Sequence, residues 1–380
     1  MNKNTGMYIA EDYTLTYQTC SSNGKDYIMI YGIRDMTEDF AKHGKLKIPS
    51  KINNITVEKF FPEAFSCNNY IKEVIIENGP TEIAENLFFG CKNLELVTIP
   101  KSIKRIDSYS FSHCKSLKTV NFSEGLEEIG PYAFELTAIE NLTLPNSLKT
   151  IKNNAFDDSY VCSVSLGPNV EYIGTSAFSN CIFLVDINFS ENLSIIDDFA
   201  FKECSNLESA ILPDNLTQLG YGVFDYCGSL KTIQIGKNLS YIDTTRDFAY
   251  ACRNLENIIV HPEHPFLKVI KGTLYDYKKN TLIRVPPRIQ NKNIIIPKWI
   301  TSISPCCFNN VHIDNLFIKS KDIGPVSSCD IPFVNKIFCP PNSSVEKQFT
   351  MYGGFNIKPL KSKIDDFLDD IVDDSQNIDK

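Results

Sequence analysis

Few residues in this chain of 380 could do chemistry. HPEHP at 261–265 sets His261, Glu263 and His264 side by side, and two imidazoles with a carboxylate are a ligand set that a divalent metal accepts. Two prolines in the same five residues are turn formers, so the segment is expected to be an ordinary turn and no metal is assigned to it. Thirteen cysteines form the second group, and six of them, Cys91, Cys114, Cys181, Cys204, Cys227 and Cys252, recur at one spaced position. Side chains at equivalent positions of neighbouring units point the same way, which is poor geometry for a bridge. They are expected to be buried, reduced and inert, as suits a cytosolic or anaerobic setting. Cys306, Cys307, Cys329 and Cys339 cluster near the other end, where disulfides stay open. No CxxC, HExxH, GxxxxGK[ST] or GxSxG occurs, so the signals for zinc, phosphate and a nucleophile elbow are missing. The chain is expected to be no enzyme and to need no cofactor.

The elements that position these residues follow from a period. Phe65, Phe88, Phe111, Phe134, Phe156, Phe178, Phe201, Phe224 and Phe248 stand 22 to 24 residues apart, with Phe308 after an interruption. Five residues before them come Phe60, Ile83, Ile106, Ile129, Ile151, Ile173, Ile196, Leu219 and Ile303, while Ile242 lies six before Phe248. After each Phe runs apolar-x-x-apolar-x-apolar, as in Leu94/Val97/Ile99 and Leu184/Ile187/Phe189, whose last two positions alternate as one short strand does. One unit of about 23 residues cannot bury its own apolar positions, but a stack shares one core between neighbours. Strands roughly 4.8 Å apart make ten coils a rod of about 50 Å.

AFSNCIFLVDINFSENLSII (177–196) and AFKECSNLESAILPDNLTQL (200–219) carry a family resemblance. The chain resembles the BspA-like, treponemal-type leucine-rich repeat family over roughly residues 48–360, with Thr137 and Ser159 in place of the repeat cysteine and Asn68 beside a displaced Cys67. The fold class expected is a β-rich repeat solenoid, with one short parallel strand per repeat in a curved sheet, a β-hairpin insertion and terminal caps. The resemblance implies a noncatalytic protein-binding role, in adhesion to a host surface or matrix. The alternative is an intracellular scaffold or regulatory subunit.

The organisation expected is an N-terminal cap at 1–57, repeats at 58–260, a hairpin insertion at 261–300, last repeats with a C-terminal cap at 301–360, and an acidic tail at 361–380. GTLYDYKKNTLIRVPP (272–287) alternates around Lys278-Lys279-Asn280 as a hairpin does; residues 339–360 read as a turn, a short helix and a closing strand. In the tail, Ile364, Phe367, Leu368, Ile371 and Val372 fall on one helical stripe opposite six aspartates. That stripe needs a surface, and docking on a partner or a loosely attached tail is expected rather than capping. MNKNTGMYIAEDYTLTYQTC lacks the apolar run of a signal peptide, and no stretch reaches the roughly 18 apolar residues that cross a bilayer; localisation stays open.

A net charge of −8, without clustered Lys/Arg, argues against nucleic acid. At 43% hydrophobic and 22% charged the chain can bury a core along its length. The strand positions that face outward are mostly small and polar, such as Thr119/Asn121, Asn141/Thr143 and Ser163/Ser165. Ile211, Ile259 and Phe317 are apolar exceptions, and with Phe367, Leu368 and Ile371 of the tail they are the expected protein-binding residues.

Overall fold

The structure is a computed structural model that describes residues 4–243, 247–326 and 332–360. The tail therefore lies outside the described residues, and Phe367, Leu368 and Ile371 with it. The chain falls into two compact units, residues 1–205 and 206–380.

The first unit opens with an antiparallel meander of β1 (Asn4–Ile9), β2 (Thr14–Ser22) and β3 (Lys25–Arg34). A helix that periodicity did not announce, α1 (Glu38–His43), follows; the Thr37 hydroxyl accepts the Phe40 amide at 3.1 Å as its N-cap. Strand β4 (Lys45–Ile48) then pairs in parallel with Glu73–Ile76. A small hairpin, β5 (Lys51–Ile52) with β6 (Ile55–Phe60), returns the chain alongside β3.

From there each coil adds one strand to a parallel sheet, with Val74, Val97 and Val120 in register, and then Leu142, Val164 and Ile187 in a second sheet. The isoleucine five residues before each Phe sits on a strand of its own. Glu82–Ile83, Arg105–Ile106, Glu128–Ile129, Thr150–Ile151, Tyr172–Ile173 and Ile195–Ile196 form a second parallel ladder. The sequence pattern predicted one strand per repeat; two residues are too few to show alternation.

The phenylalanines fill the space between these walls. From Phe65 to Phe201 each ring stacks on the next at 5.1–5.4 Å, tilted by 11° or less. The backbone around them is a third wall. Residues two before and two after each Phe, for instance Tyr109 and His113 around Phe111, adopt left-handed φ of 56° and 61°. For an ordinary residue that costs about 1–2 kcal/mol. It turns alternate amides toward the next coil, so that Tyr109, Phe111 and His113 donate to Pro131, Ala133 and Glu135 carbonyls at 2.9 Å each. Those bonds offset the strain, since an unpaired buried amide would cost about 1–3 kcal/mol.

The second unit repeats the plan with parallel strands Ser209–Ile211, Thr232–Ile235 and Asn257–Val260. Leu267–Ile270, Thr273–Asp276 and Thr281–Arg284 then form an antiparallel meander whose turn spans Tyr277–Asn280. The hairpin is where the alternation put it, and all eight residues of its two strands are buried. Thr281–Arg284 also pairs in parallel with Ser302–Ile303, making the insertion part of the core. Asn293–Ile296, His312–Ile318, Phe333–Cys339 and Ile357–Pro359 complete a parallel sheet, with α2 (Ser344–Tyr352) packing Val345 and Phe349 into the same core.

Phe178 stacks on Phe156 and Phe201 and is fully buried. Phe178→Ala is expected to cost about 3–5 kcal/mol by leaving a cavity, measured by urea denaturation; a loss below about 1 kcal/mol would contradict the stack as a source of stability.

Candidate protein-binding surface

The imidazoles of HPEHP and the repeat thiols are engaged by the backbone. His264 is buried, its Nε2 lies 3.0 Å from the Leu239 carbonyl, and its Nδ1 accepts the Leu267 amide at 3.0 Å. That pair of partners fixes a neutral ring with the proton on Nε2, and burial pushes the imidazole below its ordinary range. His261 accepts the Glu263 amide through Nδ1 at 3.2 Å, and Glu263 turns to Lys237. HPEHP is thus a hydrogen-bonded turn whose imidazoles already have partners.

Repeat cysteines Cys91, Cys114, Cys181 and Cys204 are buried, and each thiol donates to the carbonyl of the Phe one coil back at 3.1–3.2 Å. Burial pushes the Cys91 and Cys181 thiols up to about 12, so they stay protonated and unreactive at neutral pH. Thr137 and Ser159 place hydroxyls there instead and donate to Phe134 and Phe156 of their own coils at 2.9 and 2.6 Å. Of the C-terminal group, Cys307 and Cys339 are buried, Cys306 is half-buried, and Cys329 lies outside the described residues.

One buried charged pair escaped the sequence reading. Asp247 and Arg284 meet at 2.7 Å, and the guanidinium also donates to the carbonyls of Ala249 at 3.2 Å and Cys306 at 3.0 Å. Burial pushes the Asp247 carboxyl up, while Arg284 and the Ala249 and Phe248 amides pull it back. Asp247 occupies the slot before the repeat phenylalanine, where Ala133, Ala155, Ala177 and Ala200 stand in other coils. A carboxylate in that core slot demands a partner; Arg284, the one charge in LIRV, supplies it. The pair is structural, pinning the insertion to its flanking coil.

What remains for recognition is the outward side of the strands. In the second unit Ile211, Gln234 and Ile259 are in register on neighbouring strands. Ile211 is 60% and Ile259 48% exposed, beside Ser209, Thr232 and Asn257. Phe317 also faces outward but is only half-exposed, because Phe338 of the next strand stacks on it at 4.8 Å. In the first unit, Tyr160, Ile182, Phe183 and Val185 are exposed, with Tyr160 edge-on to Phe183 at 5.3 Å. This group was missed, although the signal was present: Ile182-Phe183 replaces the polar pairs Lys92-Asn93 and Lys115-Ser116 that follow the repeat cysteine elsewhere.

The family model of the BspA type leucine-rich repeat region (6 copies) matches residues 39–163, 149–280 and 288–360. Among solved structures, a leucine-rich repeat protein from Bacteroides ovatus is 21% identical, with 93% of this chain and 100% of that chain covered at a TM-score of 0.57. It establishes the fold. The pneumococcal vaccine antigen PcpA is 22% identical, covering 87% of this chain and 66% of its own, at a TM-score of 0.41. A leucine rich cell surface protein from Faecalibacterium prausnitzii is 16% identical, covering 94% and 95%, at 0.47. No curated protein matches the chain. No helix among the described residues is long and apolar enough to cross a membrane.

Two outcomes follow from the buried polar groups. Arg284→Met should cost about 3–5 kcal/mol by stranding the carboxylate, whereas Asp247→Ala combined with Arg284→Met should cost clearly less; equal losses in urea denaturation would show that the pair is not coupled. For His264 the folded pKa lies below the unfolded value of 6.5, so the stability given by the neutral ring is complete above pH 6.5 and is lost as pH falls through the folded value. Stability measured against pH should therefore decline more steeply below 6.5 in the parent protein than in His264→Gln.

Proposed function

Because the chain belongs to the BspA-type leucine-rich repeat family, we propose that it works as a protein-binding repeat without catalytic chemistry, used in adhesion or surface interaction. The observation that supports this reading is the exposure of Ile211 and Ile259 in one column of an otherwise polar sheet face. Neither side chain fills a core, and apolar groups left in water on a regular face mark a place where something else covers them. The small polar neighbours hydrogen-bond adaptably but include none of the Trp, Tyr and Arg anchors of tight interfaces, so the contact is of moderate affinity. The aromatic and aliphatic group around Phe183 gives the first unit a second surface of the same kind. The buried repeat thiols favour a second reading, an intracellular scaffold that docks a partner protein.

Labelling intact cells with an antibody to the native protein separates the two readings: surface signal fits adhesion, and signal only after permeabilisation fits the scaffold. Replacing Ile211 and Ile259 together by Ser should leave the melting temperature unchanged, since both are solvent-facing, and should reduce capture by a panel of immobilised matrix proteins. Unchanged capture would remove this column as the binding site.

A further inference from the structure

The sheet that opens the first unit has a free edge. In the order β1-β2-β3-β6-β5, strand β1 pairs on one side only, so among the described residues no strand meets its outer backbone groups. Soluble proteins blunt such edges with charge, proline, a bulge or a very short strand. The sequence NTGMYI has none of these: it is six residues long, uncharged, free of proline, and paired with β2 in unbroken register from Asn4↔Thr19 to Ile9↔Thr14. Met7 and Ile9 stand 57% and 78% exposed along it.

A concavity lies on the same sheet. It measures about 510 Å³ and its walls include Met7, Gln18, Tyr31 and Arg34. Gly6 keeps β1 tight against the sheet there, since a Cβ would come within 2.4 Å of the Tyr17 ring. Arg34 starts two strands away, in register with Thr14, which pairs with Ile9. Its side chain crosses β2, and Nη2 lies against the Met7 sulfur on β1. The guanidinium is half-exposed, and its ion pair is a 3.6 Å contact from Nε to Asp35. A cation is thus displayed at an unpaired strand edge, next to an open hollow.

We infer that β1 is the docking edge for an extended segment of another protein, which adds as a sixth strand and carries a carboxylate side chain to Arg34. A strand placed about 4.8 Å outside β1 sends alternate side chains over the hollow, main-chain bonds supply the affinity, and the hollow selects the side chain. Guanidinium binds carboxylate through two parallel N–H···O bonds, which favours Asp or Glu there. A second copy of β1 is the poorer occupant, because NTGMYI offers Arg34 no carboxylate.

The probe is a labelled peptide, acetyl-TVTVEVTVT-amide, titrated with the full chain and followed by fluorescence anisotropy, beside its TVTVQVTVT counterpart. The Glu peptide should bind at least tenfold more tightly than the Gln peptide, and Arg34→Gln should erase that difference. N-methylating the amides of alternate residues blocks one edge of the peptide. One of the two methylated sets should abolish binding and the other should retain it, because only one edge meets β1. Equal affinity for the Glu and Gln peptides, full binding by both methylated sets, or no binding at millimolar peptide overturns the proposal. So does a dimer in light scattering that Met7→Lys dissolves, since a second copy would then hold the edge.

Discussion

The repeat coils of the first unit depend on alternate amides in the Phe turns reaching the next coil. Phe88 donates to Ser110 and Phe156 to Ala177 at 2.8 Å each, and their neighbours two residues to either side do likewise. These bonds set the spacing at which the rings stack and at which each repeat thiol finds the carbonyl one coil back. Neither the ring stack nor the thiol contact could hold that spacing alone, because dispersion between two rings is worth only about 0.5–1.5 kcal/mol beyond area burial and a thiol is a weak donor. Backbone geometry comes first and the apolar period follows it.

That ordering explains what could be read from the sequence. The Phe, Ile and strand positions were legible because burial restricts residue type, so the chemistry repeats wherever the geometry does. The left-handed positions were invisible: Asn86, Tyr109, Asn154, Ser176 and Phe199 share a backbone conformation and no side-chain property. Helix α1 was missed because its six residues present one buried side chain, Phe40, too few for a period. The hairpin insertion was found by its alternation, but its burial was not, since both of its faces meet protein and only a partner search from Arg284 would have shown it.

The exposed apolar groups were legible in the same uneven way. Ile211 and Ile259 stood out because the outward strand positions around them are polar, and the structure exposes both. Phe317 stood out for the same reason, yet Phe338 occupies the same outward column one coil later, and two rings at strand spacing cover each other. The Tyr160–Phe183 group lies in the turn before the strand, where no alternation exists to violate. Only comparison of one repeat with another reveals it. Exceptions to a repeat are informative at every position, not only at those that form regular structure.

The amides of the Phe turns have a further property as a set. From Glu63 to Asn180 the alternate N–H groups of these turns, those at the Phe and two residues to either side of it, point toward later coils and their accepting carbonyls toward earlier ones. Peptide dipoles cancel along an ordinary strand, but here they add, as they do in a helix. This wall of the first unit is therefore polarised along its stacking direction, with its negative pole at the earliest coil. There the Ala64 carbonyl lies so close to Gly32 of β3 that a Cβ at that glycine would sit 3.0 Å from its oxygen. The opening sheet thus lies against the negative end of this dipole.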